Sequence, residues 1–328
     1  METEELLAPR KNRIRNCVFL LLFSSLFSVT LYSQDVHTEE VEIRNGDIRL
    51  PGTLRIPEGE AAHPLLIFIP GSGNIDRDGN QAGTIVQAAY IRQLGEALAG
   101  RDIAFFSYDK RTAVPENRPL LDTVFIRDYV SDVHTLVAHF RKDPRFSGIH
   151  LLGHSQGSLV GMLSLSENSP VRSLVSMAGP ASPIDSVMLR QLTAQSPELA
   201  REAAVHFEQL KKGEAPTEVS PLLQPLFVPA NLPILKEWMG YQPVAVFKEI
   251  EIPVLLIYGG EDTQVSPEAG NRLKKVRPET RLITIPKMNH VLKRLGSPAD
   301  NMRAYTDPSI PLSPELVAEI ADWVAQNR

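Results

Sequence analysis

The chain has 328 residues, 43% of them hydrophobic and 22% charged, and a formal net charge of -5. This is an ordinary globular composition, able to bury a sizeable core in one large domain or two. With no basic stripe beyond the first residues, it argues against a nucleic-acid partner and directs attention to small or neutral substrates.

Residues 1–33 differ from all that follows. Arg10, Lys11, Arg13 and Arg15 precede an apolar run from Cys17 to Tyr32, about as long as the core of a secretory signal. A membrane-spanning helix needs about 20 apolar residues, and this run is shorter and broken by Ser24, Ser25, Ser28 and Thr30. The expectation is a signal peptide cleaved near Ser33-Gln34, export to the periplasm or beyond, and no stable membrane insertion afterwards. A retained N-terminal anchor is the alternative. Cys17 is the only cysteine and lies at the start of the apolar run, so it leaves with the signal. The mature chain, of charge -6, then has no disulfide, no thiolate nucleophile and no cysteine-based metal site.

From residue 34 the chain alternates strands with helices. Val36 to Ile43 and Ile48 to Ile56 flank Asn45-Gly46 and predict a hairpin of antiparallel edge strands. Pro64 to Pro70 is a continuous apolar run, as a strand buried on both faces requires. It ends in the polar loop Gly71 to Gly79. A helix is expected from about Thr84 to Ala99, a strand over Ile103 to Tyr108, and a second helix over Arg127 to Arg141. A further strand follows at Ser173 to Ala178. Between Pro180 and Pro243 the alternation breaks into a helical, proline-rich segment too long for a simple connection. It reads as an inserted cap over residues 180–243, its apolar residues lining an acyl pocket or forming a core of their own. Strands resume at Ile252 to Tyr258 and Arg281 to Ile285, and an amphipathic helix from Leu312 to Asn327 closes the chain. The catalytic domain thus spans residues 34–179 and 244–328, an α/β unit with a mostly parallel sheet and helices on both faces.

The stretch Ser147 to Gly161 organises the rest. Ile149, Leu151 and Leu152 form a buried strand, and Gly153-His154-Ser155-Gln156-Gly157 fits the G-x-S-x-G nucleophile elbow. A serine hydroxyl needs a base. Of the eight histidines only His206 and His290 follow Ser155; His206 falls in the insertion, and His290 lies in the loop after the last strand. Asp262, after Gly259-Gly260 at a strand's carboxyl end, is the expected acid, with Glu261 as competitor. Oxyanion donors are expected at the backbone amides of Gln156 and, after Pro70-Gly71, Ser72. His154 cannot be the base, since adjacent residues in this turn point different ways, and is expected to pack or bond locally. The charged clusters Asp76, Arg77, Asp78 and Asp109, Lys110, Arg111 read as a salt-bridged frame that fixes the oxyanion loop or touches a substrate's polar end, or as solvated loop charges.

On the motifs Pro70 to Gly79, Tyr108 to Arg111, Gly153 to Gly157 and Gly259 to Val265, the chain resembles the α/β-hydrolase superfamily. Within it, the chain is similar to bacterial esterase-like proteins, a group similar to carboxylesterases and cinnamoyl esterases and to serine aminopeptidase-like and dienelactone-hydrolase-like enzymes. The resemblance covers about Val36 to Asn327. It implies a serine hydrolase using Ser155, Asp262 and His290, with no metal or organic cofactor and a small ester as substrate. Thr112-Ala113 departs from the glycine that usually follows the arginine in relatives. A peptidase of the same architecture and an exported binding protein without catalysis are the rival functions. Acyl and alcohol specificity and oligomeric state are not readable from these residues.

Overall fold

The hairpin about Asn45-Gly46 forms as β1 (Val36–Asn45) and β2 (Ile48–Pro57), paired antiparallel. The computed structural model describes residues 35–328 apart from residues 60, 166 and 168; the expected signal segment and its cleavage site lie outside them. Of these two strands, β1 alone lies at an edge of the sheet. β2 also pairs antiparallel with β4 (Ala104–Tyr108), which corrects the expectation of two edge strands. Its second half is buried for that reason, with Leu54 and Ile56 in the core and Thr53 and Arg55 buried beside them.

β3 (His63–Ile69) is buried along its whole length. Leu65, Ile67 and Ile69 enter the core on one face of the sheet and Leu66 and Phe68 the core on the other. A strand between two helical layers has no wet face, so the apolar run is unbroken. Each such side chain contributes about 1.5–3 kcal/mol on burial.

The expected helix from Thr84 begins later, as α1 (Tyr90–Ala99). Residues 84–89 stay outside it because their amides have other partners: Val86 donates to Thr84 Oγ1, Gln87 to the Tyr305 carbonyl and Ala89 to Asn80 Oδ1. Ala89 has φ 47°, which blocks helical propagation from that side, and Ile85 is exposed instead of packed. After β4 come α2 (Ile126–Phe140), β5 (Phe146–His154), α3 (Gln156–Leu163) and β6 (Val171–Met177).

Five helices fill the proline-rich stretch: α4 (Ile184–Gln195), α5 (Pro197–Lys212), α6 (Gln224–Phe227), α7 (Leu232–Gly240) and α8 (Pro243–Lys248). Ser196 caps α5 by accepting from the Leu199 amide, with Pro197 in the first turn and Gly213 after the last. The insertion has no separate core. Leu223, Phe227, Leu235, Trp238 and Met239 join the cluster that α2 and α3 bury against the sheet.

β7 (Val254–Gly259), α9 (Glu268–Val276), β8 (Arg281–Ile285), α10 (Asn301–Thr306) and α11 (Pro314–Gln326) complete the chain. α9 and α10 went unread in the sequence. The strand order is β1-β2-β4-β3-β5-β6-β7-β8, with every pair from β4 onward parallel. From β3 the chain steps one way to β4, then crosses back to place β5 on the other side. The carboxyl ends of β3 and β5 therefore flank a topological switch point, where an open α/β sheet leaves a crevice for ligands.

Candidate active site

Ser155 stands in that crevice, between the end of β5 and the first turn of α3. Its backbone has φ 53° and ψ -118°, a strained conformation for a residue with a side chain. The Ser155 amide is held by the Met177 carbonyl at 2.9 Å. The two flanking glycines make this turn possible. A Cβ on Gly157 would collide with the Ile69 carbonyl oxygen, and one on Gly153 with the Gly157 carbonyl oxygen.

The loop after β3 comes up beside the elbow. Gly71 lies close enough that a Cβ there would meet the Ser155 Cβ at 3.4 Å. Ser72 is exposed and Gln156 buried. Among the described residues neither the Ser72 nor the Gln156 amide donates to a protein acceptor. Two free N–H groups flanking a serine are suited to receive a negatively charged oxygen.

Asp262 and His290 meet from the loops after β7 and β8. His290 Nδ1 and Asp262 Oδ2 are 2.8 Å apart, both side chains buried. Asp262 Oδ1 accepts from the amides of Gln264 and Val265 at 2.8 and 2.9 Å. One oxygen thus caps the loop and the other holds the imidazole. Burial pushes the Asp262 carboxyl up, but the His290 ring and these donors outweigh it and keep the group below the usual carboxylate range. A carboxylate only accepts, so His290 Nδ1 carries the hydrogen and Nε2 is left as the basic nitrogen. Glu261, the competing acid, makes no bond to His290.

Ser155 and His290 line one cavity of about 150 Å³, together with Gly71, Ser72, Tyr90 and His154. Among the described residues no hydrogen bond joins Ser155 Oγ to His290, a contact that often tightens only when substrate is bound. A larger cavity, about 550 Å³, shares Ser72 with it and extends past Gln156 and Lys110 to Leu226, Ile234, Leu235 and Trp238 of the insertion.

His154 does more than pack locally. Its Nε2 lies 2.8 Å from the His290 carbonyl oxygen and its Nδ1 lies 3.4 Å from the Tyr90 hydroxyl. Burial, and then the neighbouring His290, pushes its pKa down to about 3, so the ring is neutral with the hydrogen on Nε2. The residue next to Ser155 thereby tethers the backbone of His290. Nothing in a pentapeptide motif signals a partner 136 positions away.

The charged loops form the expected frame. Arg77 bonds Asp109 through both its backbone and its side chain, at 2.8 to 3.0 Å, and pairs with Glu40. Arg111 grips Asp132 at 2.8 and 2.6 Å. Lys110 turns inward instead, a placement that solvated loop charge would not produce. Three further histidines are engaged away from this site: His206 bonds Glu202 and Gln209 within α5, His134 the Ser164 carbonyl and His150 the Ser173 hydroxyl.

Comparison with known proteins bears on the family and the fold. A model of the alpha/beta hydrolase family matches residues 66–304. The chain is similar to Esterase EstD of Thermotoga maritima, with 27% identity over 97% of this chain and 75% of that protein. Among solved structures it is similar to Est1E from Butyrivibrio proteoclasticus (TM-score 0.54, 17% identity, 88% of this chain and 96% of that one). It is also similar to the Pyrococcus furiosus esterase Pf2001 (TM-score 0.53, 16% identity, 88% of this chain and 92% of that one).

Proposed function

This chain belongs to the alpha/beta hydrolase family, and from that premise we propose that it cleaves carboxylic esters through an acyl-enzyme on Ser155, with Asp262 and His290 as its partners and the Ser72 and Gln156 amides as its oxyanion hole. The bond between His290 Nδ1 and Asp262 Oδ2 carries the reading, because it leaves Nε2 as a base in the cavity that Ser155 also lines. The likeness to an esterase along nearly the whole chain supports esters as substrates.

In the reaction, His290 Nε2 takes the Ser155 proton as Oγ attacks the ester carbonyl. Asp262 stabilises the imidazolium and holds its tautomer. The carbonyl oxygen becomes an anion between the two amides, then collapses to expel the alcohol, which receives its proton from His290. Water, deprotonated by the same imidazole, releases the acid and restores Ser155. The larger cavity takes the body of the substrate, with the inserted helices as its roof.

Hydrolysis of a short p-nitrophenyl ester tests the proposal. Ser155→Ala should lower kcat by about 10⁴–10⁶ and abolish labelling by a fluorophosphonate probe. Ester turnover that survives the substitution, or faster turnover of aminoacyl-anilides than of esters, would overturn it. From the signal-like character of residues 1–33 we also propose that the enzyme is exported, checked by finding a mature N-terminus near Gln34 outside the cytoplasm.

A further inference from the structure

Lys110 is buried at the end of β4, only 3% exposed, with no carboxylate in salt-bridge range among the described residues. Its Nζ donates to the Gly71 carbonyl at 2.7 Å and to Gln156 Oε1 at 2.6 Å, and it lies 4.1 Å from the centre of the Tyr129 ring. Its own amide is fixed by the Ile75 carbonyl at 3.1 Å. Asp132, the carboxylate whose charge acts on it, is engaged by Arg111.

We propose that Lys110 is a positioning residue of the oxyanion hole: its ammonium joins the two segments that supply the donors and orients and polarises the Ser72 amide. The proposal rests on the assignment of the Ser72 and Gln156 amides as oxyanion donors. The Gly71 carbonyl and the Ser72 N–H belong to one peptide group, and the chain has no cis bonds among the described residues. In a trans peptide the two point to opposite sides, so anchoring the oxygen on Lys110 aims the hydrogen away from it. A cation on the carbonyl oxygen also draws electron density through the amide and makes its N–H a stronger donor. The second bond fixes the side chain of the residue whose amide is the other donor, so both halves answer to one atom.

The ammonium is costly to bury, and burial pushes its pKa down to about 7, with Asp132 pulling the other way. A buried cation held by two neutral acceptors and a ring, with no carboxylate in salt-bridge range, gains a close counter-charge when the oxyanion develops. That is the arrangement that favours a transition state over a ground state.

The test compares Lys110→Met, Lys110→Arg and wild type. Thermal melting first shows that each variant is folded. Then kcat and KM on a short p-nitrophenyl ester and the rate of Ser155 labelling by a fluorophosphonate are measured. Removing a whole donor costs about 10²–10³; loss of its polarising partner should lower kcat by about 10–100-fold in Lys110→Met. KM should stay within about threefold, labelling should slow in step with kcat, and Lys110→Arg should recover part of both. Lys110→Met with kcat and labelling rate within twofold of wild type would overturn the proposal, as would a loss confined to KM. Labelling does not depend on which substrate is natural. If wild type labels but spares esters, the ester assignment fails and the lysine is still tested. If wild type does not label at all, the site assignment and this proposal fall together.

Discussion

Ser155 and Gln156 are carried by the central strand and the first turn of α3, whereas Asp262 and His290 ride on loops beyond β7 and β8. The first side is fixed by close backbone packing, with Gly153 and Gly157 admitting neighbours where no Cβ fits. The second is fixed by directed bonds: two amides on Asp262, Asp262 on His290 Nδ1, and His154 on the His290 carbonyl. Each side also rests on a buried lysine with the same chemistry. Lys110 donates to a carbonyl and a glutamine at 2.7 and 2.6 Å; Lys293, three residues past His290, donates to Gln93 Oε1 and the Ile310 carbonyl at 2.7 and 2.6 Å. The difference lies in what they hold. The peptide anchored by Lys110 carries a proposed oxyanion donor, while Lys293 holds α1 and the C-terminal segment to the base loop. Steric fixation is broken by adding a side chain at Gly153 or Gly157, bonded fixation by removing one partner of a bond.

The sharpest break on the base side is Asp262→Asn. An amide in place of the carboxylate offers His290 Nδ1 no anionic acceptor and admits the wrong tautomer, so kcat should fall by about 10⁴ while the fold persists. Steady-state kinetics at neutral pH check it; a fall under about tenfold would place the acid elsewhere. Next in size is His154→Phe. The ring position is kept among Phe68 and Tyr90, but the hold on the His290 backbone is gone. A lost hydrogen bond of about 1–1.5 kcal/mol predicts a roughly tenfold drop in kcat. This variant has a second signature. With a pKa near 3 in the fold against about 6.5 unfolded, His154 binds fewer protons folded than unfolded over that window. Stability from this residue is therefore complete above pH 6.5 and declines as pH falls. From pH 7 to 5, wild type should lose about 2 kcal/mol more than His154→Phe, read from denaturant unfolding at the two pH values.

How much of this was readable beforehand follows the same division. Ser155, Asp262 and His290 were legible because each follows an apolar strand run, and the strand ends converge in this topology. The alternation of strands and helices likewise fixed the α/β class. The helix expected from Thr84 failed because side-chain and loop acceptors such as Asn80 and Tyr305, contacts made only in the folded chain, take the amides a helix would use. β2 was taken for an edge because its pairing with β4 joins segments far apart in sequence. The tether from His154 and the inward turn of Lys110 are tertiary facts of the same kind. Local spacing marks which residues carry chemistry, and long-range packing decides what holds them.

Lys293→Met probes the remaining lysine with the smallest expected effect on turnover. It leaves Gln93 Oε1 and the Ile310 carbonyl without their donor, at a cost of about 1–2 kcal/mol, a few degrees in melting temperature. Because neither acceptor reaches the reacting atoms, kcat should stay within about threefold of wild type. Burial pushes the Lys293 pKa down to about 8, with Asp307 opposing and Arg92 adding to the shift. Between pH 8 and 10.5 the unfolded chain then holds more of this proton than the folded one, so wild-type stability relative to the variant should grow as pH rises through that range. Melting curves of the two proteins at pH 7 and 9.5 measure it. If Lys293→Met instead lost as much turnover as Lys110→Met, the two lysines would serve the reaction alike. The distinction between a lysine that aims a donor and a lysine that fastens a scaffold would then be gone.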